Sequence, residues 1–201
     1  MNERCIKLRL MNKNNFLLHF SNYLIDITPK YISSIKIYKD ELCIFTEKSS
    51  LINLIKLLKL HFSFKFTQLI DICGVDYLDK KDRFEVVYNF ISLFYNFRIR
   101  IKILTNEYEA IPSISSLFSS SLWLEREVWD TYGVFFSNHP DLRRLLTDYG
   151  FEGYPFRKDF PQIGFFEIRY DDEKKHVLYE PVELAQEFRL FNFSSPWVQV
   201  K

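Results

Sequence analysis

An α+β fold is predicted, a mostly antiparallel sheet of about five strands with helices packed on one face, followed by an extended irregular C-terminal tail. Three observations predict it. Apolar residues recur at helical spacing in two early stretches, 15–27 and 51–60. Between 31 and 104 five stretches read as strands between turn signals, some alternating and some continuously apolar. After Gly133 the helical pattern breaks up, Gly150, Gly153, Pro155 and Pro161 punctuate a segment dense in Asp, Arg and aromatics, and beyond Pro161 no clear period returns. The expected organisation is a sheet domain over 1–132, then an irregular segment and extended tail over 133–201.

The first helix is expected over 15–27, where Phe16, Phe20, Tyr23, Leu24 and Ile27 share a face, and Pro29 stops it. Residues 31–38 alternate as a strand. Lys39 and Asp40 form a tight turn, and 41–46 return as a second strand. Ser49 and Ser50 cap a helix from Leu51 to Leu60, which Lys56 and Lys59 make basic and amphipathic. A helix packed on a sheet explains that pattern better than one lying on a membrane surface. Residues 66–77 form a strand with a bulge at Gly74. Residues 84–93 form the next, and 98–104 its hairpin partner. In that partner Arg98, Arg100 and Lys102 alternate with Ile99, Ile101 and Ile103, so the cations take one face and the isoleucines the other. Helix, hairpin, helix and three strands make a sheet with its helices on one side.

The Ser-rich stretch 113–121 reads as turn and capping chemistry. Ser119, Ser120 and Ser121 offer N-caps for a last helix in which Leu122, Trp129 and Tyr132 recur at helical spacing, and Gly133 is placed to end it. The irregular backbone after it has polar groups that need partners, so specific contacts must hold it.

Bulk properties exclude several functions. With 201 residues, 47% hydrophobic and 26% charged, the chain has an ordinary globular balance. A net charge of +1 gives no electrostatic case for nucleic acid. No stretch reaches about 18 uncharged apolar residues, so no membrane span is expected. Cys5, Cys43 and Cys73 are scattered and form no Cys-x-x-Cys, which suggests neither a zinc nor an iron–sulfur framework and fits a reducing compartment. The sequon at Asn192 is read as chance. The N-terminus carries Arg4, Lys7 and Arg9 without a long apolar core, and Glu3 argues against a transit peptide. The wealth of Phe, Tyr, Ile, Lys and Asn reads as codon bias of an AT-rich genome, as in an organelle.

Charged residues cluster between 125 and 159. Glu125 and Glu127 lie about 200° apart on a helix, so they are no acid–base pair. Glu127 and Asp130 share a face, and Arg126 is spaced to pair with Asp130. Salt bridging explains these charges better than proton handling. His139 lacks a second His or Cys nearby for a metal, and Asp141 is expected to cap a short helix over 142–146. Arg143 and Arg144 point to different sides, one pairing internally and the other reaching a neighbour. Gly150 and Gly153 have turn rather than phosphate-loop spacing. Arg157, Lys158 and Asp159 suit an ion network, with anion binding as the alternative. The tail brings Phe188, Phe191, Phe193 and Trp197, rings that need burial on a partner.

These residues also carry a resemblance. Glu125-Arg126-Glu127, Asp130, Gly133, His139, Asp141-Leu142-Arg143-Arg144, Thr147-Asp148-Tyr149-Gly150-Phe151, Gly153, Pro155 and Arg157-Lys158-Asp159-Phe160-Pro161 resemble the signature of the thirty-kilodalton subunit family of respiratory complex I. The family has members in bacteria and in organelle genomes. The likeness continues through Arg169-Tyr170-Asp171-Asp172, Glu180-Pro181-Val182-Glu183-Leu184 and Ser195-Pro196-Trp197, and is looser over 71–100. Thr131, Tyr154 and Phe156 depart from the pattern, none of them removing a charge.

The resemblance implies a non-catalytic structural subunit of the quinone-reducing, hydrophilic arm of proton-pumping NADH:ubiquinone oxidoreductase. It implies the matrix side of the mitochondrial inner membrane. The partners it implies are chiefly the forty-nine-kilodalton subunit and the subunit with the terminal iron–sulfur cluster. The whole complex uses FMN, iron–sulfur clusters, NADH and ubiquinone; this chain is expected to hold none of them and to contain no catalytic residue. The competing reading is a freestanding enzyme whose site is built from Glu127, Asp130, Arg143 and Arg157. The missing cofactor fingerprint counts against it.

Overall fold

The computed structural model describes residues 13–39, 41–184, 186, 189, 191 and 197, with side chains from Leu17 onward. Helix α1, Lys13–Ile27, starts two residues before the expected position and buries Leu17, Ser21 and Leu24. Tyr23, expected on the buried face, lies at its exposed edge, and of Phe16 only the backbone is described. The Thr28 hydroxyl donates to the Leu24 carbonyl at 2.7 Å, closing the helix just before Pro29.

Strands β1 (Ser34–Tyr38) and β2 (Glu41–Phe45) form the expected hairpin. A short 3-10 turn, Lys48–Ser50, leads into α2, Leu51–Leu60, which buries Leu51, Leu54, Ile55 and Leu58. That helix is packed in the core, as its spacing predicts, although the Ser50 side chain makes no capping hydrogen bond. Strands β3 (Gln68–Asp76), β4 (Phe84–Ser92) and β5 (Phe97–Thr105) follow as an antiparallel meander.

The five strands stand in the order β1-β2-β5-β4-β3. One junction is parallel: β2 lies beside β5, with Leu42 opposite Ile99 and Ile44 opposite Ile101. On β5 the expected alternation holds, with Ile99, Ile101 and Ile103 buried against the helices. Two of the three cations of the other face find acids from neighbouring strands: Lys102 meets Glu85 at 2.6 Å and Arg100 meets Glu41 at 2.7 Å.

Gly74 is not a bulge. The register slips between Leu69 and Asp71, while Gly74 pairs regularly with Val86. Its bare Cα is needed for another reason: a Cβ there would lie 2.5 Å from the ring of Tyr132.

Strand β6 (Ile111–Pro112) pairs in parallel with β7 (Phe136–Ser137), bracketing helix α3, Ser121–Tyr132, which packs on β3. Chain contacts divide the protein after Asp159, so residues 133–159 belong to the same compact unit as the sheet rather than to the tail. The second unit, from Phe160, is less irregular than its punctuation suggests. It contains a hairpin of β8, Phe166–Asp171, and β9, His176–Pro181. No glycine marks its turn; Lys175 takes the left-handed position with φ 57°. Phe188 and Phe193 lie outside the described residues.

Candidate functional site

Helix α3 has an unusual buried side. Val128 is joined there by Glu125, Arg126, Asp130 and Thr131, and the two acids have no exposed surface. Buried charge is costly unless every group is paired. The neighbouring loops supply the partners.

Asp130 is the centre. One carboxylate oxygen accepts three successive backbone N–H groups, from Leu145 at 3.0 Å, Leu146 at 2.7 Å and Thr147 at 3.0 Å. The other accepts the Thr147 hydroxyl at 2.6 Å and Arg144 at 3.1 Å. Burial pushes its pKa upward, but the donors from Thr147, Leu146 and Leu145 outweigh it and hold the carboxyl at about 2. Converging N–H groups of this kind make an anion nest, here filled by the protein's own side chain. The helix expected over 142–146 with Asp141 as its cap does not form, because these N–H groups turn toward Asp130 instead. Nor does Arg126 pair with Asp130. It donates to the carbonyls of Arg143 at 3.1 Å and Arg144 at 3.2 Å, with its guanidinium over Trp123.

Arg144 is the internally paired member of its couple. It joins Asp130 to the Gly153 carbonyl, at 3.0 and 3.1 Å, and lies among the rings of Trp129, Phe151 and Tyr154. Arg143 is turned outward and pairs with exposed Asp141 at 2.9 Å, which holds that carboxyl below its usual range.

Glu125 sits in a different setting. It accepts the Ser113 hydroxyl at 2.5 Å and the Ile114 N–H at 2.8 Å, and lies 3.8 Å from His139. Burial raises its pKa, with the bonds from Ser113 and Ile114 opposing. The ring of His139 spans a carbonyl and an N–H: Nε2 faces the Leu122 carbonyl at 3.2 Å and Nδ1 accepts from Asp141 N–H at 3.1 Å. A carbonyl only accepts, so these partners put the proton on Nε2.

The C-terminus of α3 is closed from three sides. Gly133 adopts φ 77° and its N–H donates to the Trp129 carbonyl at 2.9 Å, ending the helix as its position predicts. A Cβ there would come within 2.7 Å of both Arg157 and Tyr154. Phe156 N–H donates to the Thr131 carbonyl at 3.1 Å, and Arg157 Nε to that of Tyr132 at 2.7 Å. At the start, none of the expected serine caps operates: Ser120 makes no capping bond, and the Ser121 hydroxyl donates back to Phe118 at 2.8 Å.

Arg157, Lys158 and Asp159 enter an ion network. Asp76, a buried acid on the core-facing parity of β3, takes a forked pair of bonds from Arg83 at 2.7 and 2.9 Å, and the Lys158 N–H at 2.9 Å. Arg83's bond depresses the Asp76 carboxyl below its usual range, against the opposing effect of burial. Arg83 also reaches Glu107 and Asp159, both at 2.8 Å, and Glu107 receives Arg157 at 3.1 Å. Asp76, Arg83 and Glu107 did not stand out in the sequence; a charged residue in phase with Ile72 and Gly74 was the signal for Asp76.

The four residues of the competing enzyme reading are each engaged by other partners. Asp130 is enclosed in its nest, Arg143 faces solvent beside Asp141, and Arg157 caps Tyr132. Glu127 is half-buried, and its carbonyl accepts the Thr131 hydroxyl. A hollow of about 250 Å³ on the sheet is lined by Glu41, Asp71, Asn89, Arg98 and Arg100 and contains none of the four. Among the described residues no group of three or more His, Cys, Asp or Glu is placed to hold a metal ion. Of the remaining motif residues, Asp148 accepts the Tyr149 N–H, Tyr149 is fully exposed, Gly150 and Gly153 make turns, and Pro155 is half-buried. Phe191 and Trp197 are largely exposed.

Residues 44–165 match the family model described as respiratory-chain NADH dehydrogenase, 30 Kd subunit. The chain is 51% identical to NADH-ubiquinone oxidoreductase subunit 9 of Reclinomonas americana, covering 96% of this chain and 95% of that protein. It is 51% identical to the subunit 9 of Acanthamoeba castellanii, with coverage of 92% and 95%. A bacterial relative, an NADH-quinone oxidoreductase subunit of Rhodospirillum rubrum, is 52% identical, covering 84% and 79%. A chain of the membrane-bound sulfane sulfur reductase, an archaeal respiratory membrane complex, superposes with a TM-score of 0.61 at 20% identity, over 73% of this chain and 86% of that one. That last likeness concerns the fold alone.

Proposed function

The chain belongs to the respiratory-chain NADH dehydrogenase 30 Kd subunit family, and from that premise we propose that it is a structural subunit of the hydrophilic, quinone-reducing arm of NADH:ubiquinone oxidoreductase. The observation that carries this is identity of about half the residues across nearly the full length of subunit 9 relatives. The polar side of α3 supports a structural role, because its buried charges are used in bracing the chain. Asp130, Arg144 and Arg126 lock residues 143–153 onto the helix, and Asp76, Arg83 and Arg157 lock 157–159 onto the sheet. A rigid bed of this kind suits subunits that hold redox centres at fixed separations.

In this reading the chain contributes no catalytic side chain and holds neither flavin nor iron–sulfur cluster. The assembled enzyme couples electron transfer from NADH to ubiquinone with proton pumping. The neighbours are the forty-nine-kilodalton subunit and the subunit with the terminal cluster, in the peripheral arm on the matrix side of the mitochondrial inner membrane. Among the described residues no helix is long and apolar enough to cross a membrane, in keeping with that placement. The test is copurification from the native source with identification of partners by mass spectrometry, and iron and flavin analysis of the isolated chain. Co-migration with a large NADH-oxidising complex, and an isolated chain without either group, is the expected result. Stoichiometric iron or flavin, or a chain that migrates alone, overturns it.

A further inference from the structure

The β8–β9 hairpin is amphipathic across its width. Its register places Phe166 opposite Pro181, Ile168 opposite Tyr179 and Tyr170 opposite Val177, all on one face. The other face pairs Glu167 with Glu180, Arg169 with Leu178 and Asp171 with His176. There Arg169 grips Glu180 through two bonds, at 3.0 and 2.6 Å, so the polar face is internally organised. On the apolar face Phe166, Ile168, Tyr170, Val177 and Tyr179 are each 53–61% exposed. A two-stranded ribbon in water is marginal by itself, and a contiguous solvated apolar face is uncommon on a protein that works alone.

We propose that this apolar face is a docking surface for a neighbouring protein subunit whose contact patch is apolar at its centre and basic at its rim. The inference rests on the structural-subunit reading above and adds to it the surface and the chemistry it fits. The charge of the segment selects the occupant. Residues 160–184 carry six acidic and three basic side chains, a net of −3, in a chain whose total is +1. A second copy would set −3 against −3 around the contact, and an anionic lipid surface would be repelled in the same way. A basic-rimmed protein patch would be attracted. Docking through the face also buries alternate side chains from both strands. Adding a strand to the hairpin's edge would leave those side chains wet.

The experiment uses the full-length chain within its native complex. A photo-crosslinking residue replaces Tyr179, and separately Ile168, and crosslinked peptides from the purified complex are sequenced. Crosslinks to a different subunit, at an apolar patch bordered by Lys or Arg, are expected. Crosslinks to residues 185–201 of the same chain, to a second copy, or to no protein overturn the proposal. In parallel, Ile168→Asp combined with Tyr179→Asp places two charges on the docking face. Roughly tenfold less chain should then co-migrate with the complex, since desolvating unpaired charge opposes docking. The circular dichroism of the isolated chain should be unchanged, and normal co-migration of the double variant also overturns the proposal. Failure of the subunit reading itself is separate: the wild-type chain would then not co-migrate at all.

Discussion

Helix α3 encloses Glu125, Arg126 and Asp130 in the interior, whereas the β8–β9 hairpin holds Phe166, Ile168 and Tyr179 out in solvent. Each inverts the usual rule of apolar inside and polar outside. The inversion at α3 is resolved within the chain: each of the three charges finds hydrogen-bond partners on nearby loops. The inversion at the hairpin leaves its apolar side chains more than half exposed, while Arg169 and Glu180 pair on the opposite face. Buried charge ties a chain to itself, and an exposed apolar ribbon prepares it for something else. The two regions should therefore respond differently to mutation, one in stability and the other in assembly.

The largest effect is expected at Asp130. Asp130→Ala strands Arg144 and the N–H groups of residues 145–147, a loss on the order of 3–5 kcal/mol for a buried pair. Denaturant unfolding of the isolated chain should show that loss, and less assembled complex should follow. A variant that assembles normally but loses quinone reduction would instead give Asp130 a chemical role. The wild-type carboxylate also has a pH signature. Its folded pKa, about 2, lies below the ordinary 3.8, so its contribution is present above about pH 4 and is lost as pH falls through about 2. Unfolding midpoints over that window should fall more steeply in wild type than in Asp130→Asn.

Gly133→Ala comes next. The left-handed backbone and the approach of Tyr154 and Arg157 make a cost of about 2–3 kcal/mol the expectation, read from the same unfolding curves. Cost below about 0.5 kcal/mol would mean that residues 154–157 shift freely, against the capping described for them.

Glu125→Gln should have a smaller effect and the opposite pH behaviour. The folded pKa of Glu125 is raised, so its favourable contribution is present below about 4.5 and is lost as pH rises through the raised value. Glutamine can still accept the Ile114 N–H through its one carbonyl oxygen and donate from its NH2 to the Ser113 hydroxyl oxygen, without the cost of an enclosed charge. Stability at neutral pH should be unchanged or higher, and the decline with rising pH should flatten. A large loss at neutral pH would show that the His139 contact needs the charge. Smallest of all, Arg169→Ala removes a solvent-exposed pair and should leave the unfolding transition of the chain unmoved.

Local periodicity made much of the first unit readable. The alternation of β5 depends only on neighbouring residues, and so does the helical ending at Gly133. The site was readable in membership but not in pairing. Glu125, Asp130, Arg144 and Arg157 stood out as a cluster, yet Arg126 was matched to Asp130 by helical spacing, when Arg144 reaches it from a loop 14 residues away. Loop backbone donors carry no letter in the sequence, so the nest around Asp130 could not be anticipated from side-chain types. The hairpin was written in the letters, with Phe166, Ile168 and Tyr170 alternating against Glu167, Arg169 and Asp171. Its turn lacked the glycine that normally announces one, and Lys175 hides the reversal.

The parallel junction of β2 with β5 has a consequence in time. Strands β3, β4 and β5 meet through short connections, whereas β2 must wait for a strand that begins at Phe97, more than fifty residues further along. Closing that long loop is the slow kind of step in sheet formation. As the chain leaves the ribosome, the β1–β2 hairpin is made first and can be seated only after β5 has emerged. Until then Leu42 and Ile44 have no Ile99 and Ile101 to lie beside, and the newborn chain exposes the edge that its finished sheet conceals.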